Sequence, residues 1–118
     1  MQGRQQMRRN ADHREMPVHV TIDADNTGYK IPIGQFVTFF TTALDDAAAI
    51  VYLPPVTEAV GQAYYICAPT GATGGDISVY TQEAGSEIST YGDLDADDDH
   101  VIFYSDGKNW RVLLDGVA

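Results

Sequence analysis

The chain has 118 residues, 44% of them hydrophobic, which supports one domain with an ordinary core. Its formal net charge is −10, and so acidic a surface repels a phosphate backbone, which excludes nucleic acid as an expected partner. No apolar run is long enough to cross a bilayer, so no membrane partner is expected.

The charge is unevenly distributed. Up to Met16 the basic residues Arg4, Arg8, Arg9 and Arg14 outweigh Asp12 and Glu15, for a net +2. Beyond Met16, fifteen acids face only Lys30, Lys108 and Arg111, for a net −12. Residues 1–16 are polar, show neither helical nor strand periodicity and lack the apolar block of a secretory signal, so a protein made in the cytosol is expected. They read as a basic N-terminal extended arm, more easily ordered by another chain than by burial of its own; the plain alternative is a disordered terminus. Residues 17–118 form the body.

From Pro17 the texture is β. The predicted strands are Val18–Ile22, Phe36–Thr42, Ile50–Leu53, Tyr64–Ala68, Ile77–Tyr80, Glu87–Thr90, Val101–Tyr104 and Trp110–Leu114, rich in the residues that suit a pleated surface. Turn signals separate them: Asp25-Asn26-Thr27-Gly28, Leu53-Pro54-Pro55, Gly71–Gly75 and Asp106-Gly107-Lys108-Asn109. The helical candidates are short, Asp45–Ala49 and part of the arm. The expected class is all-β, a small β-sandwich or jelly-roll-like domain of about eight short antiparallel strands, with the last two strands as a hairpin across Ser105–Asn109.

Two strands do not alternate. Ile50-Val51-Tyr52-Leu53 and Val101-Ile102-Phe103-Tyr104 are apolar at every position, whereas a strand with one face in water alternates. Both faces are therefore expected to be covered, either by a second subunit or by the chain's own loops and a small helix.

The search for chemistry gives little. The single cysteine, Cys67, lies in an apolar run and reads as a small buried hydrophobe; a nucleophile needs a nearby base that the sequence does not single out. Asp93–Asp99 and Asp23–Gly28 invite a calcium loop. Counting from Asp93, however, the sixth and twelfth positions hold Asp98 and Tyr104, and from Asp23 they hold Gly28 and Gly34, so neither is an EF-hand. Solvated acidic turns are the simpler reading, with a weak calcium site of another kind as the alternative. His13, His19 and His100 share no zinc-ligand spacing, and no serine stands in a nucleophile elbow. Gly71–Gly75 lacks the Lys-Ser or Lys-Thr of a phosphate loop. Trp110 opens a period-two set with Val112 and Leu114, which suits a core or interface anchor better than a sugar-stacking platform. No catalytic residue, cofactor site or metal site is expected, and the chain is not expected to be an enzyme.

Several segments, taken in order from Asp25 to Gly116, resemble a family of small phage virion proteins, the capsid decoration (cement or head-fibre) proteins and related fibre β domains. They are Asp25-Asn26-Thr27-Gly28, Ile50-Val51-Tyr52-Leu53-Pro54, Gly61-Gln62-Ala63-Tyr64-Tyr65-Ile66 and, most specifically, the strand, Ser105-Asp106-Gly107 and Trp110-centred strand running from Val101 to Val112. The resemblance implies a homotrimer on the outer capsid surface of a virion that clamps the major capsid protein and stabilises the shell. Within that reading Arg4, Arg8, Arg9 and Arg14 are the expected capsid contacts, and Tyr52, Phe103 and Trp110 the expected trimer or core anchors. The alternative is a tail-fibre or receptor- and glycan-binding β domain, for which exposed Tyr80, Tyr91 and Trp110 would be the contacts.

Overall fold

The computed structural model describes residues 16–23, 27–42, 49–68, 77–85, 88, 92–96 and 98–117. The basic arm with Arg4, Arg8, Arg9, Arg14 and His13, the glycine run 71–75, Tyr91 and most of the predicted helix Asp45–Ala49 lie outside them. Ala49 itself opens a strand.

Among the described residues nine strands form two sheets: β1 (Val18–Ile22), β2 (Tyr29–Lys30), β3 (Val37–Thr42), β4 (Ala49–Tyr52), β5 (Ala63–Ala68), β6 (Ile77–Tyr80), β7 (Asp93–Leu94), β8 (Asp99–Ser105) and β9 (Trp110–Gly116). Seven fall where the β-branched and aromatic runs place them. β2 and β7 have two residues each, too short to show a period, and β7 sits inside the acidic stretch. Of the predicted strand Glu87–Thr90 only Ile88 is described; it is not in a strand, but its N–H donates to Val79 O at 3.0 Å.

The expectation of antiparallel neighbours is corrected. The five-stranded sheet runs β1-β3-β5-β8-β9 and the four-stranded sheet β2-β4-β6-β7. β1–β3, β3–β5, β2–β4 and β4–β6 are parallel; only β5–β8, β6–β7 and β8–β9 are antiparallel. The cause is the path of the chain. After each of the first five strands it crosses to the other sheet, so sheet neighbours are alternate strands that enter in the same direction, and the intervening strand serves as the crossover a parallel pair requires. Strand periodicity carries no record of which sheet the next strand joins. The predicted hairpin of β8 and β9 does form.

The sheets share one core. Ile22, Phe40, Tyr64, Ile66, Val101 and Phe103 point in from the larger sheet, and Ala49, Val51, Ile77, Val79 and Leu94 from the smaller. Leu53, Pro54, Val56 and Ala59, buried between β4 and β5, close one end. The strands that are apolar throughout resolve into alternation: β8 is buried at Val101 and Phe103 and half-covered at Ile102 and Tyr104, and β4 is buried at Val51 and half-covered at Ile50 and Tyr52. In the single chain their second faces are half-covered.

Candidate functional site

Two regions concentrate side chains beyond the core: the outer face of the five-stranded sheet, and the corner where the β8–β9 hairpin meets the loop before β5.

The outer face follows from the register. Across the sheet at one level stand His19, Phe39, Cys67 and His100; at the next, Val37, Tyr65, Ile102 and Leu114; at the last, Ala63, Tyr104 and Arg111. The rings touch in sequence. His19 stacks on Phe39 with centroids 5.1 Å apart and planes 17° from parallel, Phe39 meets Tyr65 edge-on at 6.1 Å, and Tyr65 lies 6.1 Å from His100. His100 is fixed twice. Its Nδ1 is 2.8 Å from Asp98 O, and its ring lies directly over Gly116, where any side chain would collide with it.

Leu114 reaches this face by a β-bulge. Phe103 pairs with Val112 but Ile102 pairs with Leu114, so Leu113 is the extra residue. The expected period-two set Trp110, Val112, Leu114 is therefore broken after Val112. The inserted residue turns Leu114 outward, because a one-residue shift exchanges the faces of everything beyond it. Leu113 is 60% exposed and Leu114 45%.

The corner is built by the Ser105-Asp106-Gly107 turn. Asp106 Oδ1 accepts the N–H groups of Lys108 at 2.8 Å and Asn109 at 2.7 Å, and its Oδ2 accepts from Arg111 Nε at 2.7 Å. Those backbone and guanidinium donors lower its carboxyl to about 2. Ser105, fully buried, donates from Oγ to Val56 O at 2.6 Å and so ties the hairpin to the preceding loop. Trp110 is half-buried against the core, edge-on to Tyr64 at 5.7 Å, and its buried indole N–H meets no acceptor among the described residues. A cleft of about 130 Å³ opens beside it, lined by Val56, Thr81, Glu83, Ala84, Lys108 and Asn109.

Of the expected anchors, Phe103 is wholly inside the core, Trp110 stands at this corner, and Tyr52 is half-covered on the outer face of the smaller sheet, edge-on to Tyr80 at 5.7 Å. The three are not brought together. Cys67 sits in the aromatic row, 5% exposed; burial pushes its thiol up, as do the charges of Asp98 and Asp99, with Tyr65 opposing through a hydrogen bond, so thiolate chemistry is disfavoured. The acidic stretch is only partly a solvated turn. Asp99 is 1% exposed, and its Oδ2 accepts the N–H groups of Asp95 at 3.1 Å and Ala96 at 3.0 Å. It shapes the turn in the way a short acceptor side chain does when it bonds a nearby backbone. Among the described residues no three His, Cys, Asp or Glu side chains converge as metal ligands.

Sequence reading missed Ser105, Asp99 and the outer row. A signal for the row was present in the apolar or aromatic residues at 37 and 39, 65 and 67, and 102 and 104, which share a face only once the register aligns them. No protein-family model matches this chain, and neither a curated protein nor a solved structure matches it significantly.

Proposed function

We propose that this chain is a non-enzymatic structural subunit of a phage particle: a capsid decoration, or cement, protein with a β-sandwich body that forms a homotrimer on the outer capsid surface and holds the major capsid protein through its basic N-terminal arm. The observation that carries the reading is the apolar, aromatic outer face of the five-stranded sheet, left half-covered on a chain of net charge −10. Proteins of this acidity stay apart unless a surface is made for contact. The hairpin of the family resemblance adds support, because Ser105, Asp106 and Gly107 together build a rigid corner.

The proposed mechanism uses the charge split. Three copies present three arms at one place, so capsid binding gains from effective concentration without new contact types. Arg4, Arg8, Arg9 and Arg14 suit carboxylate-rich grooves, because a guanidinium binds a carboxylate through two parallel hydrogen bonds. A ligand that binds only the assembled shell stabilises that shell by mass action. Removing residues 2–16 is expected to leave a folded body that no longer co-sediments with shells of the phage that encodes it; undiminished co-sedimentation refutes the arm's role.

The cleft beside Trp110 favours a second reading, a fibre or receptor-binding domain that takes a glycan. Its carboxylate, ammonium, carboxamide and hydroxyl groups around an indole are suited to sugar hydroxyls. A glycan array without a hit removes this reading.

A further inference from the structure

We infer that copies of this chain associate through the outer face of the five-stranded sheet, the faces of three copies meeting around a common axis. The inference rests on the homo-oligomer part of the proposed function and is independent of where the particle is found.

Charge is the first ground. Arg111 carries the one permanent charge among the outward positions of β1, β3, β5, β8 and β9 that the register assigns, and it stands at a corner, paired with Asp106. The chain has 17 acidic residues, and none occupies those positions. Charge-depleted, aromatic-rich surfaces are what interface cores are made of. The same feature selects the occupant. Two copies at −10 each repel, and they approach at least cost over the centre of this face, where the register places no carboxylate and Asp98 stands only at the border beside His100. A partner recognised by opposite charge would instead meet one of the acidic loops.

Topology is the second ground. β1, β3 and β5 pair in parallel at one side of this mixed sheet, and in all-parallel sheets such strands are covered on both faces. Here the inner face is covered by the smaller sheet, and the outer positions Phe39, Tyr65, His100, Ile102 and Tyr104 are only half-covered. The bulge is the third. It turns Leu114 out beside Ile102 and Tyr65, enlarging the apolar row at a strand that would otherwise have kept a leucine in the core. The smaller sheet offers no rival: β2 and β7 have two residues each, Lys30 lies on its surface, and a shallow groove of about 290 Å³ between Lys30, Tyr52, Gln82 and Gly85 interrupts it.

The test is the mass of the full chain by light scattering over a concentration series, with circular dichroism to confirm folding. Wild type is expected near three times 12.9 kDa, about 39 kDa. Ile102→Glu places a charge at the centre of the face without touching the core and is expected to weaken association at least about a hundredfold, as an unpaired buried charge does. Leu114→Glu, at a position already 45% exposed, keeps the test valid if Ile102→Glu folds poorly. Tyr80→Glu, on the smaller sheet, is expected to keep the wild-type mass. An associated wild type whose mass is unchanged by both Ile102→Glu and Leu114→Glu overturns this inference and leaves the homo-oligomer standing. A wild type that stays at 12.9 kDa at every concentration overturns both.

Discussion

Replacing Tyr64 by phenylalanine removes one oxygen and leaves the ring, so it isolates a pair of hydrogen bonds from the packing around them. The Tyr64 ring is fully buried, 5.2 Å from Phe36 and 5.7 Å from Trp110. Its hydroxyl donates to Gln62 Oε1 at 2.7 Å and accepts from Gly34 N at 3.1 Å, joining the turn before β3 to the loop before β5. Each neutral bond contributes about 1 kcal/mol net, and Gly34 and Gln62 retain access to water once released, so the expected loss is about 1–2 kcal/mol. For a domain near 100 residues that lowers the melting temperature by about 5–15 °C. The assay is a thermal melt followed by near-ultraviolet circular dichroism, with both proteins at one concentration so that association does not shift the comparison. A change within 1 °C, at about that precision of measurement, refutes the reasoning, because it means that the hydroxyl does not hold the two loops together.

Tyr64 also governs alkaline behaviour: burial pushes its hydroxyl above the ordinary 10.0, with the Gly34 N–H pulling it partly back. A folded-state value raised in this way gives stability that is whole below pH 10.0 and lost as the pH rises beyond it; absorbance titration at 295 nm, about the tyrosinate band, is expected to show a late-ionising tyrosine missing from Tyr64→Phe. Asp106 works in the opposite direction. Lowered from 3.8 to about 2, its carboxylate stabilises the hairpin above pH 3.8 and ceases to do so as the pH falls through 2, so the melting difference between wild type and Asp106→Asn is expected to shrink over that window. Gly107→Ala is expected to cost about 1–2 kcal/mol in chemical denaturation, because φ there is +93° and the new methyl would stand 3.4 Å from Val60 Cγ2. Phe103→Ala is expected to cost about 3–5 kcal/mol and Tyr52→Ala much less, since only the first empties a filled core position.

The residues read as strands were legible because β-branched and aromatic side chains cluster between turn residues, and seven of the nine strands follow from that alone. The Ser105–Asn109 hairpin was legible for a stronger reason: Asp106 and Gly107 specify the turn by chemistry local to it. The candidate site was only half visible. Apolarity at every position of Val101–Tyr104 announced a second face, yet the partners of Ile102 on that face, Tyr65 and Leu114, come from strands far apart in sequence.

What the sequence by itself determined was therefore local: the β class, the strand positions, the closing hairpin and the split between a basic leader and an acidic body. What only the tertiary structure decided was non-local. The crossing from sheet to sheet made neighbours parallel where antiparallel strands were expected. A single inserted residue at Leu113 sent Leu114 to the opposite face, and the burial of Asp99 turned an apparently solvated acid into a fixed part of a turn. Side-chain period is set within a few residues by the pleat, whereas pairing partner, direction and register are set by how distant segments share one core.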